Sequence, residues 1–250
     1  MSPIIWCVEH FDEIDSTNTY VAKRARDNAG EGLVALADFQ SSGRGRLDRA
    51  WTSPPRASLL CSLLLRPDLD ASQLQLVVAV VALAARTALE RLCGLRPELK
   101  WPNDLVVDGK KLAGLLAEVV ETNGTFAVVV GLGLNLTYEG PEGVEATCVR
   151  NEAGVTISPR GLLDIVLEEI EKRRSQLDSK EGRVALREEY TRALATIGRS
   201  VRVEQVNGSV DGVARGVDDV GQLLVEVDGV LQSFGVGDVV HVRPSDAGAR

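Results

Sequence analysis

The chain has 250 residues, 44% of them hydrophobic and 26% charged, with a formal net charge of -8. That length buries one good core with room for a small second domain, and the acidic balance excludes general binding to nucleic acid or to an anionic membrane. The four cysteines (Cys7, Cys61, Cys93, Cys148) fall outside metal-ligand spacing and are expected as free thiols in a reducing compartment, and the two histidines, His10 and His241, lie near opposite ends, which argues against a zinc site or a histidine-based triad.

Residues 1–10 lack the basic start and long apolar run of a secretory leader, so a cytoplasmic protein is expected. Residues 6–11 read as a strand. Asp15-Ser16-Thr17-Asn18 has the composition of a helix start, with the helix running to about residue 28 and stopped by Gly30 and Gly32. Such a start either caps the helix and nothing more, or also offers hydroxyls and free N–H groups to a carbonyl or an anion. A strand over 33–39 then enters Gln40 and the segment Gly43-Arg44-Gly45-Arg46-Leu47-Asp48-Arg49, closed by Trp51. Glycine allows close backbone approach, and arginine presents a planar fork of donors to phosphate or carboxylate oxygens. The segment is therefore either a loop that closes over an anion or a solvated basic loop. It is not a phosphate-binding P-loop, because no Gly-Lys-Ser/Thr follows. It is not a dinucleotide fingerprint either, because Asp48 stands where the third glycine falls.

Pro54 and Pro55 end that loop; 58–65 is a buried strand, and 71–92 is a helix apolar on nearly all sides, ended by Gly94. Its longest apolar run, 76–85, is well short of the ~20 residues of a membrane span. Residues 99–107 read as strand, break at Pro102, strand, which presents Asn103 and Asp104 at a sheet edge, either as turn residues or as ligands. After an Asp108-Gly109 turn, a strand from 110 to 119 is interrupted by Lys111, which snorkels outward or meets a ligand, and by Gly114, which suggests a close approach. Asn123-Gly124 signals another hairpin. In the strand 126–136, Gly131 and Gly133 mark either a bulge or room for something flat beside the Asn135 amide. Residues 138–149 read as a loop, followed by helices from Ser158-Pro159 to near 177 and over 182–195. The run Lys172-Arg173-Arg174, preceded by Glu168, Glu169 and Glu171, reads as a solvated helix face. From 201 to 242, turn signals at Asn207-Gly208, Asp219 to Gly221, Asp228-Gly229 and Gly237-Asp238 predict a small antiparallel barrel of five strands. A boundary near Ile197 divides the chain into 1–197, 198–244 and a disordered tail, 245–250.

In order and spacing, Asp15 to Asn18, Gln40 with Gly43 to Arg46, Trp51, Lys100-Trp101-Pro102-Asn103-Asp104, Lys111-Leu112-Ala113-Gly114 and Gly131-Leu132-Gly133-Leu134-Asn135 resemble the biotin–protein ligase family (biotin–[acetyl-CoA-carboxylase] ligases), over nearly all of 9–243. The resemblance implies an α+β fold: a mixed β-sheet flanked by helices, as in class II synthetase/biotin ligase-like catalytic domains, with a small C-terminal SH3-like β-barrel. The family pattern starts within the first ten residues, so the N-terminal DNA-binding domain of some members is not expected. The implied reaction joins biotin and ATP into biotinyl-5′-AMP, then transfers biotin to a lysine of a biotin carboxyl carrier domain of a carboxylase. No nucleic-acid or membrane partner is expected, and the chain is a monomer or homodimer. Rival readings are a lipoate–protein ligase and a non-catalytic biotin-binding regulator.

By the same resemblance, Ser16 donates to the ureido carbonyl, and Thr17 and Gln40 accept from its N–H groups with Asn18 nearby. Gly43, Arg44, Gly45, Arg46 and Lys111 enclose biotin, and Gly114, Leu115 and Leu116 line the channel for its tail. Lys111 and Arg46 are the catalytic cations; Arg46, Arg49, Trp51, Asn103, Lys111 and Asn135 hold ATP; Asp104 carries Mg²⁺. The glycine–arginine loop is expected to order over the adenylate. Two departures stand out: Leu47-Asp48 replaces the Arg-Gly of many relatives, and no tryptophan lies between 145 and 165, where some relatives stack adenine.

Overall fold

A computed structural model describes residues 3–122, 125–205, 208–235 and 237–241. Strand β1 (Cys7–Phe11) leads into α1 (Thr17–Arg26), capped by Ser16, whose hydroxyl accepts from the Thr19 N–H at 3.4 Å. The helix stops earlier than expected. Asn28, not Gly30, takes the left-handed conformation after it (φ 62), a role that asparagine's short polar side chain tolerates. Strands β2 (Leu33–Ala37) and β3 (Ser58–Leu65) are buried at every position. A 3₁₀ turn (Ala71–Gln73) precedes α2 (Leu74–Cys93), which ends on Gly94 at φ 72. Then come β4 (Glu98–Lys100), β5 (Asp104–Val107), β6 (Lys110–Thr122) and β7 (Thr125–Asn135). Directly after the region read as a loop comes a short helix that was not expected, α3 (Val149–Ala153); α4 (Pro159–Arg174) and α5 (Lys180–Ala193) follow.

The seven strands form one sheet in the order β1-β2-β3-β7-β6-β5-β4, parallel only between β1 and β2. Helix α1 packs on one face, with Val21, Ala22 and Ala25 against Leu64, Ala127 and Val129. Helices α2, α4 and α5 cover the other, where Leu59, Leu63 and Leu132 meet Leu83, Leu163 and Leu186. The apolar run of α2 is therefore a core helix between sheet and helices, and among the described residues no helix is long and apolar enough to cross a membrane.

A second sheet, β8 (Ser200–Gln205), β9 (Gly208–Val217), β10 (Leu223–Val227), β11 (Val230–Phe234) and β12 (Asp238–His241), is antiparallel in the order β11-β10-β9-β8-β12. This is the expected small β unit, with β11 and β12 as its edges among the described residues. Asp228 and Gly229 make the expected turn, at φ 50 and 79. The Asn123-Gly124 turn, Asn207 and the 245–250 tail lie outside the described residues. All four cysteines are free: Cys61 and Cys148 are buried, while Cys7 is exposed. Burial pushes the Cys61 thiol up to about 12, so it stays protonated and inert.

The charged run on α4 is only partly a solvated face: Glu168 and Lys172 are exposed, but their neighbours are not. Glu169 is buried and accepts from Arg91 at 2.7 Å, Lys172 at 2.8 Å and Arg173 at 2.7 Å. Arg173 also reaches Glu189, and Arg174 pairs with Glu31. The periodicity of the run hid this because its partners come from α2, α5 and the α1–β2 connection. Burial alone would raise the Glu169 pKa, but hydrogen bonds from Lys172, Arg173 and Arg91 outweigh it and pull the carboxyl to about 2, against an ordinary 4.5. A depressed carboxyl stabilises the fold above its unfolded pKa and loses that contribution as pH falls through the folded one. Glu169→Gln is therefore expected to cost about 2 kcal/mol at pH 7. In urea unfolding the wild-type advantage should shrink as pH falls from 4.5 towards 2; a difference independent of pH over that window would place the stabilisation elsewhere.

Candidate active site

At one end of the large sheet lies a cleft of about 600 Å³, walled by the start of α1, the loop before Trp51, the β4–β5 corner, β6, β7 and part of the small sheet. Ser16, Thr17 and Asn18 line it because the α1 N-terminus points its first turn inward, and all three are buried. Their side chains are tied together. The Thr17 N–H donates to Gln40 Oε1 at 2.8 Å, and Thr17 Oγ1 lies 2.9 Å from the same oxygen. The Asn18 amide nitrogen donates to Leu116 O at 3.2 Å and Glu118 Oε2 at 2.9 Å. Glu118 in turn pairs with Arg44 at 3.0 Å. Beneath them, Ser62 on β3 contacts both Thr17 and Asn18. Neither Ser62 nor Glu118 was singled out from the sequence. The signal for Ser62 is a lone interior hydroxyl in the apolar run of β3; nothing local marks Glu118, whose partners lie far away along the chain.

The glycine–arginine loop closes on itself: the Gly45 N–H donates to Arg49 O at 2.7 Å and the Trp51 N–H to Gly43 O at 3.0 Å. Leu47 and Asp48 form its tip, both left-handed at φ 52 and 57, a conformation glycine adopts without steric cost. Arg44, Gly45, Arg46 and Arg49 line the cleft. Gly43 does not; a Cβ there would stand 2.3 Å from Trp51 O, so its glycine serves the stem of the loop. Arg46 donates to Asn103 Oδ1 at 3.0 Å and to Gly237 O at 3.1 Å, the latter in the small sheet's β11–β12 connection.

Lys111, at the start of β6, meets Asp104 Oδ1 at 2.7 Å across the β5–β6 hairpin. Its backbone is held by a strap over 140–147: the Lys111 N–H donates to Glu145 O and the Thr147 N–H to Lys111 O, both at 2.9 Å. The same strap accepts from Asn135, whose buried amide nitrogen donates to Thr147 O at 3.0 Å. One donor expected for a ligand is thus already used. The room above the β7 glycines is filled from within the chain. A Cβ on Gly133 would fall 2.4 Å from the Trp51 indole, and one on Gly131 would fall 2.2 Å from Asn18 Oδ1. The flat group on this bare strand is therefore Trp51, with Lys111 Nζ 5.7 Å from its ring centre. Gly114, Leu115 and Leu116 border the cleft from β6. Asn103 is fixed by its Nδ2 donating to Leu115 O at 2.6 Å.

Comparison with known proteins supplies the family. Residues 10–135 match the Biotin/lipoate A/B protein ligase family, and residues 196–242 match the Biotin protein ligase C terminal domain. A biotin–[acetyl-CoA-carboxylase] ligase of Mycobacterium tuberculosis is 36% identical, over 91% of this chain and 86% of its own length. The bifunctional ligase/repressor BirA of Bacillus subtilis is 30% identical, over 92% of this chain and 72% of its own. A solved structure of the biotin protein ligase from Aquifex aeolicus in complex with biotin and ATP superposes with a TM-score of 0.81 at 27% identity, covering 94% of this chain and 98% of that one. With its larger sheet, its smaller sheet and nearly its whole length matched in this way, the chain belongs to the biotin protein ligase family.

Proposed function

We infer that the chain is an ATP-dependent biotin–[acetyl-CoA-carboxylase] ligase. The observation that carries the residue roles is the cleft itself. It puts a polar grip (buried Ser16 and Thr17 with half-buried Gln40) and a set of cations (Lys111, Arg44, Arg46) around one cleft. The biotin carboxylate attacks the α-phosphorus of ATP, the bond to the β-phosphate breaks, and pyrophosphate leaves. The amine of the carrier lysine then attacks the acyl carbon of biotinyl-5′-AMP, and AMP leaves.

Biotin's carboxylate is already ionised at neutral pH, so no base is needed in the first step. What is needed is positive charge between two anions. Lys111 and Arg46 supply it and stabilise the charge that develops on the α-phosphate oxygens. Ser16 donates to the ureido carbonyl, while Thr17 and Gln40 accept from the ring N–H groups. Gly114, Leu115 and Leu116 border the tail. Arg49, Asn103 and Asn135 serve the nucleotide, and Trp51, seated on Gly114 and Gly133, borders the ligands with its indole.

Mg²⁺ fits the donor set. Asp104 Oδ1 is buried and receives no directed hydrogen bond, although Lys111 Nζ lies 2.7 Å away as its ion-pair partner. Among the described residues no group of three His, Cys, Asp or Glu side chains is placed to hold a metal. A magnesium ion that arrives with nucleotide needs only one or two carboxylates. Asp104, with Asn103 beside it, would hold it, and when bound it neutralises phosphate charge. A catalytic unit of 1–197 followed by a second unit, 198–244, is supported by the start of the small sheet at Ser200. The net charge of -8 supports a protein substrate rather than a nucleic-acid partner.

Three outcomes are expected. Pyrophosphate release with ATP and Mg²⁺ should require biotin and not accept lipoate; release with lipoate alone would move the chain to the lipoate branch. Lys111→Ala should lower that release by about 100-fold or more while leaving biotin affinity within a few-fold; full activity in a folded Lys111→Ala would remove the charge-stabilising role. Biotin with ATP should protect 43–50 from limited proteolysis, and equal cleavage with and without ligands would show that the loop does not close over the adenylate.

A further inference from the structure

Glu118 stands on β6 outside the cleft, yet its carboxylate joins two of the cleft's walls. Oε1 pairs with one terminal nitrogen of Arg44 at 3.0 Å, and Oε2 accepts from the other at 3.3 Å. The same Oε2 accepts from the Asn18 amide nitrogen at 2.9 Å. A two-pronged guanidinium–carboxylate pair fixes direction as well as distance. Asn18 is itself held on several sides. Its amide nitrogen also donates to Leu116 O at 3.2 Å, its Oδ1 lies 2.5 Å from the Ser62 hydroxyl, and it rests on the bare backbone of Gly131. Asn18 lines the cleft, but both of its donors are spent on β6. Glu118 therefore ties the first arginine of the glycine–arginine loop to the fixed floor of the polar grip.

The two cleft arginines at the start of this loop leave it towards different partners. Arg46 reaches Asn103 Oδ1 and Gly237 O. Arg44 reaches a full carboxylate, against which a ligand anion has little advantage to offer. Arg46 is thus free to turn to phosphate while Arg44 stays where it is. We propose that Glu118 is a positioning residue that, through Arg44, keeps the 43–50 loop over the ligands and so retains biotinyl-5′-AMP between the two half-reactions, an inference that rests on the biotin reading above. Without the carboxylate, the loop loses its fixed point on β6, opens more often, and lets the adenylate escape before the carrier lysine arrives. Adenylation itself is untouched, because Glu118 does not border the cleft.

The test follows pyrophosphate release with ATP, Mg²⁺ and biotin, in the absence of any carrier protein, for wild type, Glu118→Gln, Arg44→Lys and the double variant. Glu118→Gln keeps the shape of the side chain and an oxygen for Asn18 but removes the charge that holds Arg44. A partly exposed ion pair adds little to folding, so the variant is expected to fold. With no acceptor present, retained adenylate blocks the site. Wild type should release a single pyrophosphate per chain rapidly and then slow to the rate at which the adenylate leaves. Glu118→Gln is expected to keep the rapid phase and raise the slow rate about tenfold, with biotinyl-5′-AMP appearing in the filtrate. Arg44→Lys, whose ammonium cannot fork, should raise the slow rate by a similar factor, and the double variant no further than either alone. An unchanged slow rate in folded Glu118→Gln, or two effects that multiply in the double variant, overturns the role of Glu118. So does a lost rapid phase without faster leakage, which marks a part in the chemistry instead. A wild type that releases no pyrophosphate with biotin overturns the biotin reading and this inference with it, whereas one that turns over steadily without a rapid phase removes this inference alone.

Discussion

The site depends on a stretch of sheet that carries no side chains. On β7, Gly131 and Gly133 leave the backbone bare, and on β6, Gly114 lies opposite Gly133 in register. Asn18 settles on the first of these and Trp51 on the second, each closer than any Cβ would allow. An alanine at 131 would push Asn18 off the floor and break its tie to Ser62; an alanine at 133 would lift the indole that Lys111 lies against. The two halves of the cleft, polar grip and cation wall, are thus placed by one strip of glycine backbone. It is also a costly arrangement, because glycine weakens a strand interior. The β3, β6 and β7 ladders that flank it offset this with apolar pairings such as Leu59 with Leu134, Leu63 with Val130 and Leu115 with Leu132.

Electrostatics follow from the same economy of space. A chain of net charge -8 must gather positive charge locally to meet two anionic substrates. It does so with cations already engaged: Lys111 with Asp104, Arg44 with Glu118, Arg46 with Asn103 and Gly237 O. Such partners keep the cations from splaying outward and lower the cost of holding like charges together. They also mean that ligand oxygens compete with internal acceptors, so binding is an exchange of hydrogen bonds rather than the filling of bare charge. On the proposed reading the Asp104 pairing is the one that rearranges, Lys111 turning from a carboxylate towards phosphate oxygens.

Much of this was legible in the sequence where the signal is local. The Ser16 cap, the Gly94 stop, the Asp108-Gly109 turn and the β3 run all fall where composition puts them. Gly131 and Gly133 announced a space for a flat group, but not that Trp51 fills it, because that contact joins residues some eighty apart along the chain. The α4 charges were misread for the same reason: helical spacing pairs Lys172 and Arg173 with Glu169 correctly, yet the burial of Glu169 is set by Arg91 on α2. The helix start at Ser16 to Asn18 was readable as a cap. Its second task, as a wall of the cleft, rests on hydrogen bonds from Ser62, a residue that carries no motif.

The small sheet joins the site through one arginine and one edge. Arg46 bridges the β4–β5 corner and Gly237 O, and Val239 and Val240 of β12 border the cleft beside Glu204 of β8. Trp101 ties the two sheets again from below, its indole N–H donating to Gly221 O at 3.2 Å. The loop that carries Arg46 is therefore anchored at its stem by Gly43 and Trp51 and at its side by the second sheet, while its tip, Leu47 and Asp48, stands in a left-handed turn with Leu47 exposed. A loop held at stem and side but strained at its tip can shift its tip without losing its anchor. On the proposed reading, closure over a reactive anhydride needs no refolding, only the transfer of Arg46 from a backbone carbonyl to a phosphate oxygen, a stronger acceptor for a guanidinium.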